Sequence, residues 1–267
     1  MMVLGAAALL LTITPLRADD PIAIRKWDAI PPTAPTNKWD AAAAAGMTLT
    51  RGNSETLLMT LGIKALRRGT NHEVLLGAAG TYGENTTEKT VVTSNGDRVK
   101  KDETTKTAAS ASGYGQFNYL LTDRFYTGGR VDLVHDEIAD LKYRATVSPL
   151  AGYYAIKNPW TKLSFEAGPS GVFEQQGDEA NQYAALRVGD RFEHKFAPKA
   201  RAWQTLDIMP QVDRFSNYLI LAEVGAEAAL TDRISLRAIL QDTYDNEPAL
   251  GRKNNDIKLI TALAYKF

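Results

Sequence analysis

Cysteine is absent from the 267 residues, and histidine occurs only at His72, His135 and His194. Without cysteine there is no disulfide framework, no thiolate nucleophile and no cysteine-built zinc site. Three histidines leave little material for a histidine-rich metal centre. Charge of one predominant sign is also missing: 31 Lys and Arg balance 31 Asp and Glu. That balance excludes a strongly basic nucleic-acid binder and an acidic disordered tail. No apolar run reaches the roughly 20 residues of a membrane-spanning helix, and the slightly negative mean hydropathy excludes a bundle of such helices. With 44% apolar residues the chain is too hydrophobic for disorder. A membrane β-barrel stays open, because its strands offer only alternate residues to lipid.

The first eighteen residues read as an export signal. Residues 1–11 are nearly continuously apolar, and Pro15-Leu16-Arg17-Ala18 before Asp19-Asp20 marks cleavage after Ala18. Two features fit this poorly: no Lys or Arg precedes the apolar run, and Arg17 sits beside the cut. The alternative is a buried N-terminal helix, but nothing amphipathic follows it. Residues 19–38 hold Pro21, Pro31, Pro32 and Pro35 and read as a semi-extended periplasmic linker.

From Trp39 onward the pattern has period two. In the last segment Ile257, Leu259, Thr261, Leu263, Tyr265 and Phe267 share one face, opposite Lys258, Ala262 and Ala264. The same alternation defines about twelve strands, at 39–50, 56–67, 72–83, 106–120, 125–135, 141–156, 162–174, 183–196, 201–212, 218–229, 234–245 and 256–267. Strands of this length exceed the usual five or six residues and suit tilted strands crossing a bilayer, which need about 9–11. Every second connection is short, and two carry the same Leu-Thr-Asp-Arg sequence, at 121–124 and 230–233. In such a turn Asp can accept a backbone N–H two residues on. The longer loops fall on the other rim, as in a bacterial outer-membrane barrel with short periplasmic turns. The expected fold is therefore all-β: an antiparallel transmembrane β-barrel of the bacterial outer membrane with about twelve strands, over residues 39–267.

Aromatics group near the inferred strand ends, as interfacial girdles require. Trp39, Phe117, Tyr119, Phe125, Tyr153, Trp160, Trp203, Tyr265 and Phe267 fall toward the short-turn rim. Tyr82, Tyr143, Phe173, Tyr183, Phe215, Tyr218 and Tyr244 fall toward the long-loop rim. The closing Tyr265-Lys266-Phe267 resembles the terminal aromatic signal read by the barrel-assembly machinery. Two features oppose the barrel: Pro149, Pro169 and Pro210 lie inside strands that a closed barrel leaves no free edge for, and Asp190 falls on an apolar face. A periplasmic sandwich or lipocalin-like barrel is the competing architecture.

Arg51-Gly52-Asn53-Ser54-Glu55-Thr56 follows the first strand. Thr122-Asp123-Arg124-Phe125-Tyr126, Asp140-Leu141-Lys142-Tyr143-Arg144 and Gly152-Tyr153-Tyr154 come next in order. This succession resembles the family called domain of unknown function 481, labelled as salt-induced outer membrane proteins, over most of residues 39–267. The resemblance implies an exported outer-membrane β-barrel. It supplies no catalytic residues, cofactor or substrate.

If the apolar faces meet lipid, the lumen holds Lys64, Arg130, Asp132, Lys142, Arg144, Glu166, Arg187, Arg191, Glu193, Asp207, Glu223, Glu227, Arg237 and Lys258. Such a lining makes either a weakly selective pore for small solutes or ions, or a network of paired charges that seals a structural barrel of the stressed envelope. The segment 84–105 centres on Asn95-Gly96, a type I′ turn pair, and predicts a β-hairpin that continues the third and fourth strands past the membrane. Other classes are a wall-mounted lipid hydrolase and a soluble periplasmic binding barrel. For the first, His135-Asp136 is the suggestive pair, but neighbouring strand residues point to opposite faces. No G-x-S-x-G, P-loop or H-E-x-x-H occurs. Asp242, Asp245, Asn246, Glu247 and Asp256 match no calcium-loop spacing and read as a polar loop. No metal or cofactor is expected. The expected partners are outer-membrane lipids and, during biogenesis, the assembly machinery, with no nucleic acid; the sequence sets no oligomeric state.

Overall fold

A computed structural model describes residues 37–50, 54–92 and 98–267. The export signal, most of the linker, the Gly-Asn turn after the first strand and Asn95-Gly96 lie outside the described residues. The strands are β1 (Trp39–Thr50), β2 (Ser54–Arg68), β3 (His72–Val92), β4 (Arg98–Leu120), β5 (Phe125–Asp136) and β6 (Leu141–Lys157). They continue as β7 (Thr161–Gln176), β8 (Glu179–Ala197), β9 (Ala200–Pro210), β10 (Tyr218–Ala229), β11 (Ile234–Asp245) and β12 (Asn255–Lys266). Each pairs antiparallel with its sequence neighbour, and β1 meets β12, so the sheet closes on itself.

Closure divides the side chains into an inner and an outer set, and the apolar set is outside. On β12, Leu259 is 68% exposed and Leu263 is 55% exposed, whereas Ala262 and Ala264 between and beside them are buried. Val131 and Leu133, Phe165, Val188, Val224, and Leu236 and Leu240 repeat this on other strands. An apolar belt around the whole circumference is unfavourable in water, at about 25 cal/mol per Å² of apolar surface. It matches the hydrocarbon of a bilayer, and the closed ladder satisfies the backbone there.

The short turns are built alike, though not as the sequence suggests. In the two Leu-Thr-Asp-Arg turns it is threonine, not aspartate, that caps the backbone. Thr122 Oγ1 accepts the N–H of Arg124 and Phe125 at 3.2 and 2.9 Å. Thr231 Oγ1 accepts those of Arg233 and Ile234 at 3.2 and 2.9 Å. The arginine of each turn then donates to a tyrosine one strand beyond the strand it leads into, Arg124 to Tyr153 on β6 and Arg233 to Tyr265 on β12. Threonine wins because its hydroxyl sits one residue earlier, over the N–H groups that the turn leaves unpaired.

The prolines fit without bulges at their own positions. The β6–β7 ladder lapses between Val147 and Ala151 and resumes in the same register against Gly171 and Ala167. That places Pro149 opposite Pro169, so the two missing N–H groups fall at one gap. The neighbouring serines close it from inside, Ser148 Oγ lying 2.7 Å from Ser170 Oγ. Pro210 ends β9 opposite Tyr218. Asp190 faces outward and takes a 3.4 Å hydrogen bond from the Gln204 side chain on β9.

β3 and β4 extend past the barrel, paired as far as Val92 and Arg98. β2 accompanies β3 only to Thr87, and β5 joins β4 only from Ser110. Cross-strand contacts support the ribbon, including Thr86 Oγ1 to Thr104 Oγ1 at 2.7 Å. A hydrogen bond from Lys100 to Glu88 holds that ammonium above the usual lysine range.

Candidate functional site: the barrel interior

Contacts between strands that are not neighbours identify the inward side chains, because only the interior connects such strands. A closed circuit of seven side chains runs through it. Gln116 on β4 donates to Glu166 on β7 at 2.8 Å. Arg191 on β8 donates to Glu166 at 3.2 Å and to Asp207 on β9 at 3.4 Å. Arg187 grips Asp207 with two N–H groups, at 3.0 and 2.9 Å, and reaches Asp132 on β5 at 2.9 Å. Arg130 holds Asp132 at 2.7 Å and returns to Gln116 at 3.1 Å.

Three arginines and three carboxylates leave the circuit neutral. Tyr126 adds a 2.8 Å hydrogen bond to Glu166, and the Arg130 guanidinium lies 4.2 Å from the Tyr114 ring centre. The circuit arches over the inner face of β6 and β7, where Ser148 and Ser170 are buried. Burying charges this deeply is tolerable only because each is paired and the arginine forks match the carboxylates.

The other charged positions form smaller groups. Toward the short turns, Arg201 on β9 and Arg237 on β11 converge on Glu227, at 2.6 and 3.1 Å. Ser235 donates to the same carboxylate at 2.6 Å, and Glu193 lies 3.5 Å from Arg201. Tyr154 on β6 reaches Glu73 on β3 at 2.9 Å. Toward the long loops, Arg144 on β6 pairs with Glu174 and, at 2.8 Å across the barrel, with Asp245. Lys258 on β12 crosses to Asp136 on β5 at 3.1 Å and to Ser110 at 3.3 Å. Lys64 on β2 reaches Glu223 on β10 at 3.5 Å, with its side chain 53% exposed. Lys142 stands apart, at the rim, 3.4 Å from Asp178 of the β7–β8 turn.

The interior is lopsided. The β4–β9 side is filled by the circuit and, nearer the long loops, by an apolar cluster of Val172, Ala185, Met209 and Leu219. The β1–β4 side presents small inward residues in register, Ala44 beside Gly62, Gly62 beside Ala79 and Ala79 beside Ser112.

Two aromatics assigned to the girdles belong inside instead. Trp203 points inward and donates to Glu223 at 2.7 Å, and Tyr183 packs on the apolar cluster. Their strand parity, shared with Asp207 and Arg187, carries this signal, while position near a strand end does not. Gly225 lies beneath the Trp203 ring, where a Cβ would come within 2.1 Å. The same parity would have found Glu174, Arg201 and Asp136, which sit an even number of residues from Glu166, Asp207 and Asp132. Gln116, Tyr126 and Tyr154 are uncharged, so a search for charges passes over them.

His135 and Asp136 diverge as alternation requires. The His135 ring lies outside, its Nδ1 2.8 Å from the Lys142 carbonyl, while Asp136 faces Lys258. Asp245 is committed to Arg144 and the Glu247 N–H. Among the described residues no group of three or more His, Asp or Glu could hold a metal ion.

Several solved outer-membrane proteins are similar to this chain at low identity. The NanC porin matches at 7% identity with a TM-score of 0.49, over 85% of this chain and 98% of that one. An outer membrane channel of Pseudomonas putida F1 matches at 10% identity and a TM-score of 0.48, over 94% and 100%. The translocator domain of the autotransporter NalP from Neisseria meningitidis matches at 11% and 0.43, over 86% and 87%. No curated protein matches this chain. The family model described as "Protein of unknown function, DUF481" matches residues 43–267, and with nearly the entire barrel covered, the chain belongs to the DUF481 family.

Proposed function

We propose that this protein is a narrow, charge-neutral channel of the bacterial outer membrane, passing water and small ions or solutes along the β1–β4 side of its lumen. The lopsided interior carries this reading. The neutral circuit occupies the β4–β9 side, and the facing wall is lined by alanine, glycine and serine. Lys64, half-exposed and reaching over that wall to Glu223, narrows the remaining path. Balanced signs imply little preference between cations and anions. Twelve strands stand between side-chain-filled eight-stranded barrels and open porins of 16–18 strands. Outer-membrane lipids meet the apolar belt, and the assembly machinery reads Tyr265 and Phe267, both outward on or beyond β12.

The test is single-channel conductance of the refolded protein in a planar bilayer. Small, nearly unselective steps are expected. A silent barrel that still shows a heat-dependent gel shift would overturn the channel and favour a structural role in the envelope. The Arg144–Asp245 and Lys258–Asp136 contacts across the wide-loop mouth support that second reading.

A further inference from the structure

The charges of the lumen balance in total but are sorted by height. At the short-turn end, Arg201 and Arg237 share Glu227, and Glu193 completes a neutral group. Arg68 on β2 pairs with Glu73 on β3 at 3.6 Å. Two lysines are left over. Lys162, just after the β6–β7 turn, interacts across the interior with Arg68 and Glu73, and beside it on β8 with Glu193 and Lys195. Among the described residues neither lysine makes a salt bridge. Five cations at this end therefore face three carboxylates.

At the long-loop end the excess has the opposite sign. Arg144 is shared by two carboxylates, Glu174 and Asp245. Lys258 is held by Asp136, and Asp256 lines the same cavity beside them. Four carboxylates at this end face two cations. Between the ends lie the neutral circuit and the Lys64–Glu223 pair. The β1–β4 side carries both excesses: Lys162 stands by Arg68 and Glu73 at one end, and Asp136 and Asp256 share a cavity with Thr60, Thr81 and Thr107 at the other.

We propose that the lumen is a bipolar pore that rectifies, carrying cations inward from the long-loop side and anions outward from the short-turn side more readily than the reverse. This deepens the channel reading and rests on it. Fixed charge of one sign admits counter-ions and repels ions of its own sign, and low-dielectric walls focus the field along the lumen. With the long-loop side positive, cations enter past the carboxylate end and anions past the lysine end. Both collect in the neutral middle, and the current rises. With the sign reversed, each ion must enter past charge of its own sign, and the lumen is depleted of both. Because the two excesses cancel, selectivity stays slight while the current becomes asymmetric. The paired charges contribute little to this field; Lys162, Lys195, Asp256 and the second carboxylate on Arg144 generate it.

The test is the current–voltage curve of channels of known orientation. The chain lacks cysteine, and Lys101 on the ribbon is exposed. Lys101→Cys is biotinylated through a reducible linker, vesicles displaying the ribbon outward are captured on streptavidin, and after release by reduction they are fused into a planar bilayer from one chamber. In about 0.1 M KCl, where the Debye length is about 10 Å, the current at about 100 mV is expected to be about twofold larger with the long-loop side positive. In about 1 M KCl, where the Debye length is about 3 Å, the two currents are expected to approach equality. Lys162→Gln/Asp256→Asn removes one unpaired charge from each end without changing the net charge of the lumen, and is expected to abolish about half of the asymmetry. A symmetric curve, a larger current at the opposite sign, or full asymmetry in the double variant would each overturn the proposal. A barrel that shifts on heating but carries no current is the failure of the channel reading itself, and rectification falls with it.

Discussion

Arg187 Nη1 meets Asp132 Oδ2 at 2.9 Å although β6 and β7 lie between their strands. The contact passes over the inner faces of two strands whose side chains at that level are serines, so the arch needs the small residues beneath it. Filling a barrel with paired charges in this way fixes which strands face each other, at the cost of desolvating six ions.

Removing one member should therefore cost more than a surface pair would. Arg187→Ala leaves Asp207 with Arg191 alone and Asp132 with Arg130 alone, both buried, and about 3 kcal/mol of stability should be lost. Urea unfolding of the refolded barrel measures this. Adding Asp207→Asn should recover part of the loss, and a strictly additive double variant would show that the circuit does not act as a unit.

Lys64 narrows the path that the channel reading leaves open. Lys64→Ala should raise conductance, and Lys64→Glu, beside Glu223, should in addition shift selectivity toward cations. Reversal-potential measurements in a salt gradient check the second effect. Unchanged currents in both variants would place the conducting path elsewhere.

Two glycines on the strands that flank β6 test the proline gap. A Cβ on Gly168 would lie 2.0 Å from the Pro149 carbonyl oxygen, whereas one on Gly129 would meet nothing within 4 Å. Gly168→Ala should destabilise the barrel by about 1–3 kcal/mol, seen as a lower temperature for the gel-mobility shift. Gly129→Ala should be neutral or slightly stabilising, since a strand glycine gives up conformational entropy on folding.

The extended hairpin should be dispensable for folding. Its partners leave early, β2 at Thr87 and β5 at Ser110. Replacing residues 88–102 with a two-residue turn should leave the unfolding midpoint nearly unchanged. A large loss of stability would mean that the ribbon packs against the barrel mouth.

The strand count, the strand limits to within a few residues in most cases, and the sorting of short turns from long loops were legible in the sequence because alternation is local. A strand with one face in lipid must repeat every second residue, whatever its neighbours do. The same parity is the ground on which charged residues are assigned to the lumen. The residues 84–105 read as a ribbon from turn chemistry alone, and the described parts of β3 and β4 extend accordingly.

Pairing across the interior belongs to the tertiary structure. Which carboxylate Arg187 meets depends on barrel closure and strand stagger, quantities that no single strand encodes. Trp203 illustrates the difference: its position near a strand end suggests the girdle, but its parity and the space above Gly225 turn it inward to Glu223. The same holds for Pro149 and Pro169, which look like errors on separate strands and become one gap only when β6 and β7 are set in register. Sequence by itself determined the period, the apolar exterior and the number of strands, because these follow from each residue's preference for lipid or water. Only the closed sheet decided the neutral circuit and the lopsided lumen, because each arises from residues far apart in the chain meeting at fixed distances.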